Sequence, residues 1–288
     1  MILATCAERP ELFGGDALLR EALVARGARV DVCAWDAIDP AADPGATICL
    51  RSTWDYHYRW PEFSAWLDRG EQARARLINP LATVRWNADK IYLRELAAAG
   101  VPIPPTIWLA ADDRITAQGI TRALKALGAS DGVLKPRVSA SAFGLERIAP
   151  GSVPSASARE VLAVAGGLIQ PFVPEIVTHG ELSLIFIDGA CTHAVRKTAA
   201  DGEFRVQSDH GGRAAPTEVS DDLVRAARLV LQAVTRPWTF ARVDLVESAT
   251  GPLLMELELI EPELFLTPAA ADRLAAALVK TASGEAAC

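Results

Sequence analysis

The sequence predicts a mixed α/β protein: a small parallel βα unit comes first, and antiparallel hairpins follow. Three observations carry this. Strand-length apolar runs alternate with capped helical segments from Met1 to Arg74. Two later pairs of apolar runs are joined by short turns, at Asp188-Gly189 and at Ala249-Thr250-Gly251. Half of the 288 residues are apolar and 23% are charged, which is the composition of a chain with a real core rather than a disordered one. At about 150 residues per domain, this length implies about two domains.

The elements follow in order. Met1 to Cys6 reads as a buried strand, and Asp16 caps a helix over Ala17 to Arg26 that stops at Gly27. Arg29 to Trp35 and Ala46 to Leu50 are further strand-length runs. Pro61 opens an amphipathic helix to about Arg74, a position where its missing N–H costs nothing. That helix can pack inside the domain or against a partner. After Asn79-Pro80, Asn87 caps a helix over Ala88 to Ala99, stopped by Gly100 and Pro102. A Pro-punctuated segment, Val101 to Leu109, leads into a strand. A helix over Ala117 to Leu127 and a strand ending at Lys135 come next, and residues 150–158 read as loop. Glu181 to Asp188 and Cys191 to Lys197 form one hairpin; Trp238 to Val246 and Pro252 to Ile260 form a second. Between them Ser220 caps a long amphipathic helix to about Thr235. A last helix covers Pro268 to Thr281, and the tail Ser283 to Cys288 is expected to fray. No internal repeat or low-complexity tract is visible.

Composition excludes several classes. Lys and Arg number 29 against 36 Asp and Glu, a net charge of −7. No basic excess exists to neutralise a nucleic acid or an anionic membrane, although a local basic cluster can still bind a small anion. No basic, apolar leader opens the chain, and no run approaches the roughly 18 apolar residues of a membrane span. Five scattered cysteines form no C-x-x-C pair, so they read as reduced thiols of a cytoplasmic protein rather than as a disulfide or zinc framework.

The densest chemical signal is acidic. Glu256 and Glu258, in Leu253-Leu-Met-Glu-Leu-Glu-Leu-Ile260, are two apart on a strand and face one side, with Leu257 and Leu259 facing the core. If this run pairs with Arg242-Val-Asp-Leu245, Asp244 joins them. Three converging carboxylates repel one another unless a cation sits between them, and an all-oxygen set suits Mg²⁺ or Mn²⁺. The alternative is a solvated strand face with unrelated acids. Lys90 at a helix start, and Lys135 before Ser139-Ala-Ser-Ala-Phe-Gly144, are candidate phosphate ligands. Taken singly, each is more often just a surface charge, and no P-loop or dinucleotide-binding glycine motif is present. Leu168 to Glu175 reads by default as a plain linker, and otherwise as a hinge able to face a flat base. The stretch from His193 to Arg213, with Arg196, Lys197, Arg205, Arg213 and Gly211-Gly212, offers donors for a phosphoryl group or a carboxylate, or is a flexible charged loop. Arg51-Ser-Thr-Trp-Asp-Tyr56 ends a strand of the parallel unit, where ligands bind. There Arg51 can pair a carboxylate and Asp55 an amine, while Trp54 and Tyr56 can be packing aromatics.

The order of these parts resembles the ATP-grasp superfamily over nearly the whole chain. It is most similar to the branch of prokaryotic glutathione synthetase and D-alanine–D-alanine ligase. The combination of Arg51-Ser-Thr-Trp-Asp-Tyr56 with Glu256-Leu-Glu-Leu-Ile-Glu-Pro262 also resembles the cyclo-ligase type that closes O-ureido-D-serine to D-cycloserine. The resemblance implies an α/β (α+β) ATP-grasp fold: an N-terminal α/β part (1–85), a lid (86–167) and a metal-bearing part (168–288). It implies that Lys90 and Lys135 contact ATP phosphates, that Gln170, Phe172 and Val173 hold adenine, and that Glu181, or else Glu175, holds the ribose. Asp244, Glu256 and Glu258 would bind two Mg²⁺ ions. Arg205, Arg242 and Lys197 would serve the transferred phosphoryl and the intermediate. Gly211 and Gly212 would line the acceptor pocket, and Arg51, Ser52 and Asp55 the substrate entrance. Two departures stand out: the phosphate loop has only Gly144 as glycine, and Glu258 replaces the usual Asn. The implied activity is an ADP-forming carboxylate–amine ligase acting on a small amino-acid-like substrate through an acyl phosphate. An intermolecular peptide or amino-acid ligase and a non-catalytic nucleotide-binding regulator are the alternatives, and a homodimer is left open.

Overall fold

Ile2–Thr5 forms β1, the buried strand expected at the N-terminus. In this computed structural model, which describes residues 1–42, 45–111, 113 and 115–283, it is followed by α1 (Asp16–Ala25), β2 (Asp31–Ala34), β3 (Thr47–Ser52), α2 (Trp60–Gln72) and β4 (Arg76–Ile78). The four strands pair in parallel in the order β2-β1-β3-β4. Every residue of β3 is buried, as a central strand covered on both faces requires. α2 starts one residue before Pro61 and presents Phe63, Trp66 and Leu67 to the core. Asp16 is not the cap of α1. Gly15 holds that position, where a Cβ would lie 2.7 Å from that of Leu266. Asp16 is instead the first helical residue and is drawn inward by Arg51, whose Nε donates to its Oδ1 at 2.9 Å.

α4 (Tyr92–Ala98) answers to the helix expected over 88–99 and starts four residues late; α3 (Leu81–Ala88), ahead of it, was not expected. Asn87 lies in the last turn of α3 rather than at a cap, and its carboxamide serves a strand edge described below. The second sheet follows: β5 (Ile107–Leu109), α5 (Ala117–Ala126), β6 (Gly132–Pro136), β7 (Glu146–Ile148), α6 (Ala156–Ala165) and β8 (Gly167–Pro171). Its order is β5-β8-β6-β7, antiparallel throughout. Residues 150–158, expected as loop, run into α6, whose Ser155 cap accepts from Ala158 N–H. That helix buries only Ala158 and Leu162, which left its apolar period too faint to read. β8 pairs with both β5 and β6, so the second sheet extends to Pro171. The division expected at 167/168 therefore cuts a strand, and the one at 85/86 falls inside α3.

A short α7 (Glu175–Thr178) leads into the third sheet: β9 (Glu181–Ile187), β10 (Ala190–Thr198), β11 (Arg213–Thr217), β12 (Phe240–Ser248) and β13 (Gly251–Glu258), with α8 (Asp221–Gln232) between β11 and β12. Its order is β11-β10-β9-β12-β13. Both expected hairpins form, and Asp188 and Gly189 both take positive φ, the left-handed geometry that joins twisted strands tightly. β9 is buried along its whole length. Leu182, Leu184 and Phe186 pack with Leu223, Ala227 and Val230 of α8, while Ile185 and Ile187 face the opposite cluster. α9 (Pro268–Ala282), capped by Thr267, returns to α1; Leu274 and Leu278 share a core with Leu19 and Leu23, and Arg26 pairs with Asp272 at 2.7 Å.

Residues 284–288 of the expected frayed tail lie outside the described residues. Among the described residues, Cys6, Cys33, Cys49 and Cys191 are free thiols, and no helix is long and apolar enough to cross a membrane.

Candidate active site

The third sheet assembles a charged face by strand parity. Pairing sets Asp244 opposite Glu256 and Arg242 opposite Glu258 on one side, and Asp244 opposite Ser183 on the other. β10 sets Lys197 opposite Glu181. Because side chains alternate along a strand, residues 181, 183, 197, 242, 244, 256 and 258 share one face. Oxygens of Asp244, Glu256 and Glu258 lie within 4.8 Å of one another. This is the trio expected from the sequence, and its all-oxygen chemistry fits a hard divalent cation.

Basic side chains hold the trio together. Arg242 Nη2 reaches Asp244 Oδ2 at 3.0 Å and Glu258 Oε1 at 2.5 Å. Lys197 Nζ lies 3.1 Å from Asp244 and 2.5 Å from Glu181, and Lys90 Nζ lies 3.0 Å from Glu256. Ser183 Oγ donates to Asp244 Oδ1 at 2.5 Å. Burial disfavours the Asp244 carboxylate, but Arg242 and Lys197 outweigh it and hold its pKa down at about 2. Burial pushes Glu258 up to about 8, with Arg242 opposing and Glu256 and Asp244 adding to the rise. Glu181 is raised chiefly by burial, with Lys197 opposing.

β13 is the edge of its sheet; Leu254 N–H donates to the Pro102 carbonyl at 2.9 Å, and side chains serve the groups further along. Leu257 N–H donates to Tyr92 Oη at 3.0 Å, and Asn87 Nδ2 donates to the Leu257 carbonyl at 2.8 Å. Leu259 N–H donates to Asn87 Oδ1 at 2.6 Å, and Asn79 Nδ2 donates to the Leu259 carbonyl at 2.8 Å. These bonds fix the strand that carries Glu256 and Glu258. Sequence reasoning took Asn79 and Asn87 as a break and a cap, because local signals cannot show which distant backbone an amide will meet.

The face opens into a cleft with two adjoining halves. Lys90, Ser139, Ala140, Ser141, Gln207 and Glu256 border both. The first half is flat and apolar on one side: Val133, Phe172, Val173 and Met255 line it, with Lys135, Glu181 and Arg205. The Lys135 ammonium makes no hydrogen bond or ion pair among the described residues, and burial lowers its pKa. Arg147 stacks its guanidinium 3.8 Å from the Phe172 ring centroid, and Arg205 pairs with Glu203 at 2.6 Å. The second half is bordered by Trp54, Tyr56, Arg242, Glu258, Glu261 and Gly212, among others. Ser139–Gly144 forms the roof. Ser141 and Ala142 take φ of 49° and 57°, and Gly144 takes 70°, so a loop poor in glycine still adopts left-handed turns. Phe143 in this loop packs on His57 and Tyr58 of the N-terminal part, with ring centroids 5.4 and 4.5 Å away.

Several expected site residues lie elsewhere. Arg51 is 1% exposed and is engaged by Asp16 and the Pro262 carbonyl, while Ser52 Oγ donates to Asp16 and accepts from Phe13 N–H. Asp55 accepts from Trp35 Nε1 at 2.8 Å. None of these three lines the cleft; the neighbouring Trp54 and Tyr56 do. An Arg next to a buried carboxylate is held by it, and the turn after β3 swings the aromatics toward the opening. Gln170 turns its Nε2 to Thr106 Oγ1 at 3.0 Å, so β8 delivers Phe172 and Val173 to the cleft but not Gln170. Glu175 accepts from Ala249 N–H, away from the cleft. Gly211 takes φ 80° beside the cleft, and only Gly212 lines it.

A sheet face of this kind under a small-residue roof, beside an N-terminal parallel unit, defines an ATP-grasp ligase. A RimK-like ATP-grasp domain matches residues 152–264, and the N-terminal domain of D-cycloserine synthetase DcsG matches residues 1–79. The cycloserine biosynthesis protein DcsG of Streptomyces lavendulae is 34% identical over 263 residues, 86% of this chain and 87% of that protein. The crystal structure of D-cycloserine synthetase DcsG superposes with a TM-score of 0.84 at 31% identity, covering 98% of this chain and 99% of that one. A probable alpha-L-glutamate ligase of Xanthomonas campestris is 31% identical over 188 residues, 62% of this chain and 60% of its own length. The chain belongs to the ATP-grasp ligases and, among them, to the family of DcsG.

Proposed function

We propose that this protein is an ATP- and Mg²⁺-dependent, ADP-forming ligase that activates a carboxylate as an acyl phosphate and closes it onto a nitrogen of the same molecule, converting O-ureido-D-serine to D-cycloserine. The observation that carries the reading is the Asp244–Glu256–Glu258 trio at the junction of an apolar half-cleft and a polar one. Phe172, Val173 and Met255 give the apolar half the character an adenine needs, and the trio then lies where a triphosphate would enter the polar half. Two Mg²⁺ ions, or Mn²⁺, held by the trio would neutralise phosphate charge and polarise the transferring group.

The chain's own residues do the rest. Lys135, whose ammonium makes no hydrogen bond or ion pair among the described residues, is available to a phosphate, and Lys90 can exchange Glu256 for a second one. Arg242 and Lys197, already on the face, balance charge that builds on the phosphoryl oxygens and on the tetrahedral carbon. The Ser139–Gly144 roof keeps water from the acyl phosphate, which it would hydrolyse. Attack by the ureido nitrogen next to oxygen expels phosphate and closes the ring; that nitrogen still carries a carbamoyl group, which water must then remove as carbon dioxide and ammonia to leave D-cycloserine. In this reading the N-terminal part carries the substrate side, the second sheet with its loop is the lid, and the third sheet bears the metal.

The test is phosphate release from ATP and Mg²⁺ with O-ureido-D-serine alone and with pools of free amino acids, nucleotide products being separated. ADP and phosphate from the single compound are expected. Dependence on two compounds would assign an intermolecular ligase, the reading favoured by the alpha-L-glutamate ligase similarity. AMP and pyrophosphate would overturn acyl phosphate chemistry.

A further inference from the structure

Glu261 follows the trio-bearing strand and lines the polar half of the cleft with Trp54 and Tyr56. It is 5% exposed. Its backbone carbonyl accepts from Trp54 Nε1 at 3.2 Å, which fixes the segment, but its carboxylate makes no hydrogen bond or ion pair with another residue among the described ones. Its own backbone N–H is the one donor it meets among the described residues, and a desolvated carboxylate so thinly supported is costly unless a ligand completes it. The neighbouring cations are all taken: Lys90 by Glu256, Lys197 by Glu181 and Asp244, Arg242 by Asp244 and Glu258, Arg51 by Asp16. Glu263 and Asp209 border the same half and likewise have no ion pair among the described residues. This end of the cleft therefore holds carboxylates that no ion pair among the described residues engages, and burial pushes Glu261 up to about 7 against the opposing charges of Arg242 and Arg51.

We infer that Glu261 is the acceptor for a primary ammonium group on the substrate, so that a free amine beside the reacting carboxylate is a condition of binding. The inference rests on the ligase reading above and adds to it the group that selects an amino acid over a plain carboxylic acid. An organic cation fits better than a further metal ion. The wall beside Glu261 includes two aromatic side chains, Trp54 and Tyr56, which supply no metal-ligating carboxylate, whereas Mg²⁺ demands several oxygens in octahedral array. An α-amino acid carries its ammonium one carbon from its carboxylate. It can thus span from Glu261 to Arg242, which also borders this half.

The test uses the full chain with Mg²⁺ and a non-hydrolysable ATP analogue, titrated calorimetrically with D-serine and with 3-hydroxypropionate, which lacks the amine. The wild-type protein is expected to bind D-serine, and Glu261→Gln to bind it at least about tenfold more weakly, the loss of one charge-assisted hydrogen bond. Glu261→Asp should recover part of that affinity, and 3-hydroxypropionate should bind both proteins with the same low affinity. Equal D-serine affinity in wild type and Glu261→Gln overturns the inference. So does no D-serine binding to the wild type, a comparison that needs no variant to fold. A raised Mg²⁺ requirement in Glu261→Gln with unchanged D-serine affinity would make Glu261 a metal-shell residue and overturn it as well. Turnover of O-ureido-D-serine separates the two readings. No turnover, with Glu261-dependent D-serine binding, fails the cyclo-ligase reading alone. Turnover with an unchanged KM in Glu261→Gln fails the ammonium site alone.

Discussion

At the scale of single residues, the trio and its cations make the sharpest predictions. Asp244 is fully enclosed and binds Ser183, Lys197 and Arg242 at once. Asp244→Asn keeps the shape and removes the charge. We expect kcat to fall by at least about 100-fold, since even outer partners of a metal site cost 10–100-fold, with the fold retained by circular dichroism. Full ATP-dependent activity in this variant would disprove the metal site. Lys135→Ala should raise the KM for ATP and lower kcat, each by roughly tenfold, because a group facing the cleft without a protein partner is lost. Unchanged nucleotide kinetics would make Lys135 a bystander. Both residues were legible in the sequence, since an Asp opposite a Glu-x-Glu strand and a Lys before a small-residue loop are local patterns. The amides of Asn79 and Asn87, which hold that strand, were not, because their partners lie more than 150 residues away.

At the scale of elements, the loop between β6 and β7 is the part most exposed to test. It crosses from the second sheet to the N-terminal part through Phe143, which packs on His57 and Tyr58. Phe143→Ala removes that contact without touching the trio. The loop should then seal less well, and phosphate release should exceed product formation as the acyl phosphate leaks to water. A ratio of phosphate to product that stays at one would show that Phe143 does not seat the roof. The strands around this loop also mark where sequence patterning works. The hairpins β9–β10 and β12–β13 were read correctly because an apolar period of two and a turn agree. α6 was missed because Ala and Ser carry little period, and β11 because its five residues are nearly all exposed. The helix expected over 88–99 begins only at Tyr92, since Lys90 N–H donates to the Arg137 carbonyl instead of entering a helix, and a separate helix, α3, precedes it.

At the scale of the whole molecule, Arg51 ties the first sheet to the segment after β13, through Asp16 on one side and the Pro262 carbonyl on the other. Arg51→Ala leaves a buried Asp16 unpaired and should cost about 3–5 kcal/mol of stability, read from urea midpoints, with little change in substrate KM in the folded fraction. A KM defect at full stability would return Arg51 to the substrate. Acid should act on the interface beneath the roof. Burial, and next the Lys90 charge, push His57 down to about 4 from an ordinary 6.5. The folded state therefore favours the neutral ring. The stability this provides is complete above pH 6.5 and is lost as pH falls from 6.5 toward 4, by about 3 kcal/mol in all. His57→Gln should flatten that part of the stability profile relative to wild type; parallel profiles would disprove it.

The sequence by itself determined the class, the order of the parts, both hairpins and the carboxylate trio, because each rests on spacing within a few residues. Only the tertiary structure decided which side chains near the strand ends face the cleft. Arg51, Ser52, Asp55, Gln170 and Glu175 turn to protein partners, while Trp54, Tyr56 and Glu261 turn to the opening. That choice depends on where a buried charge or amide finds its counterpart across the fold, and a local pattern does not contain the counterpart.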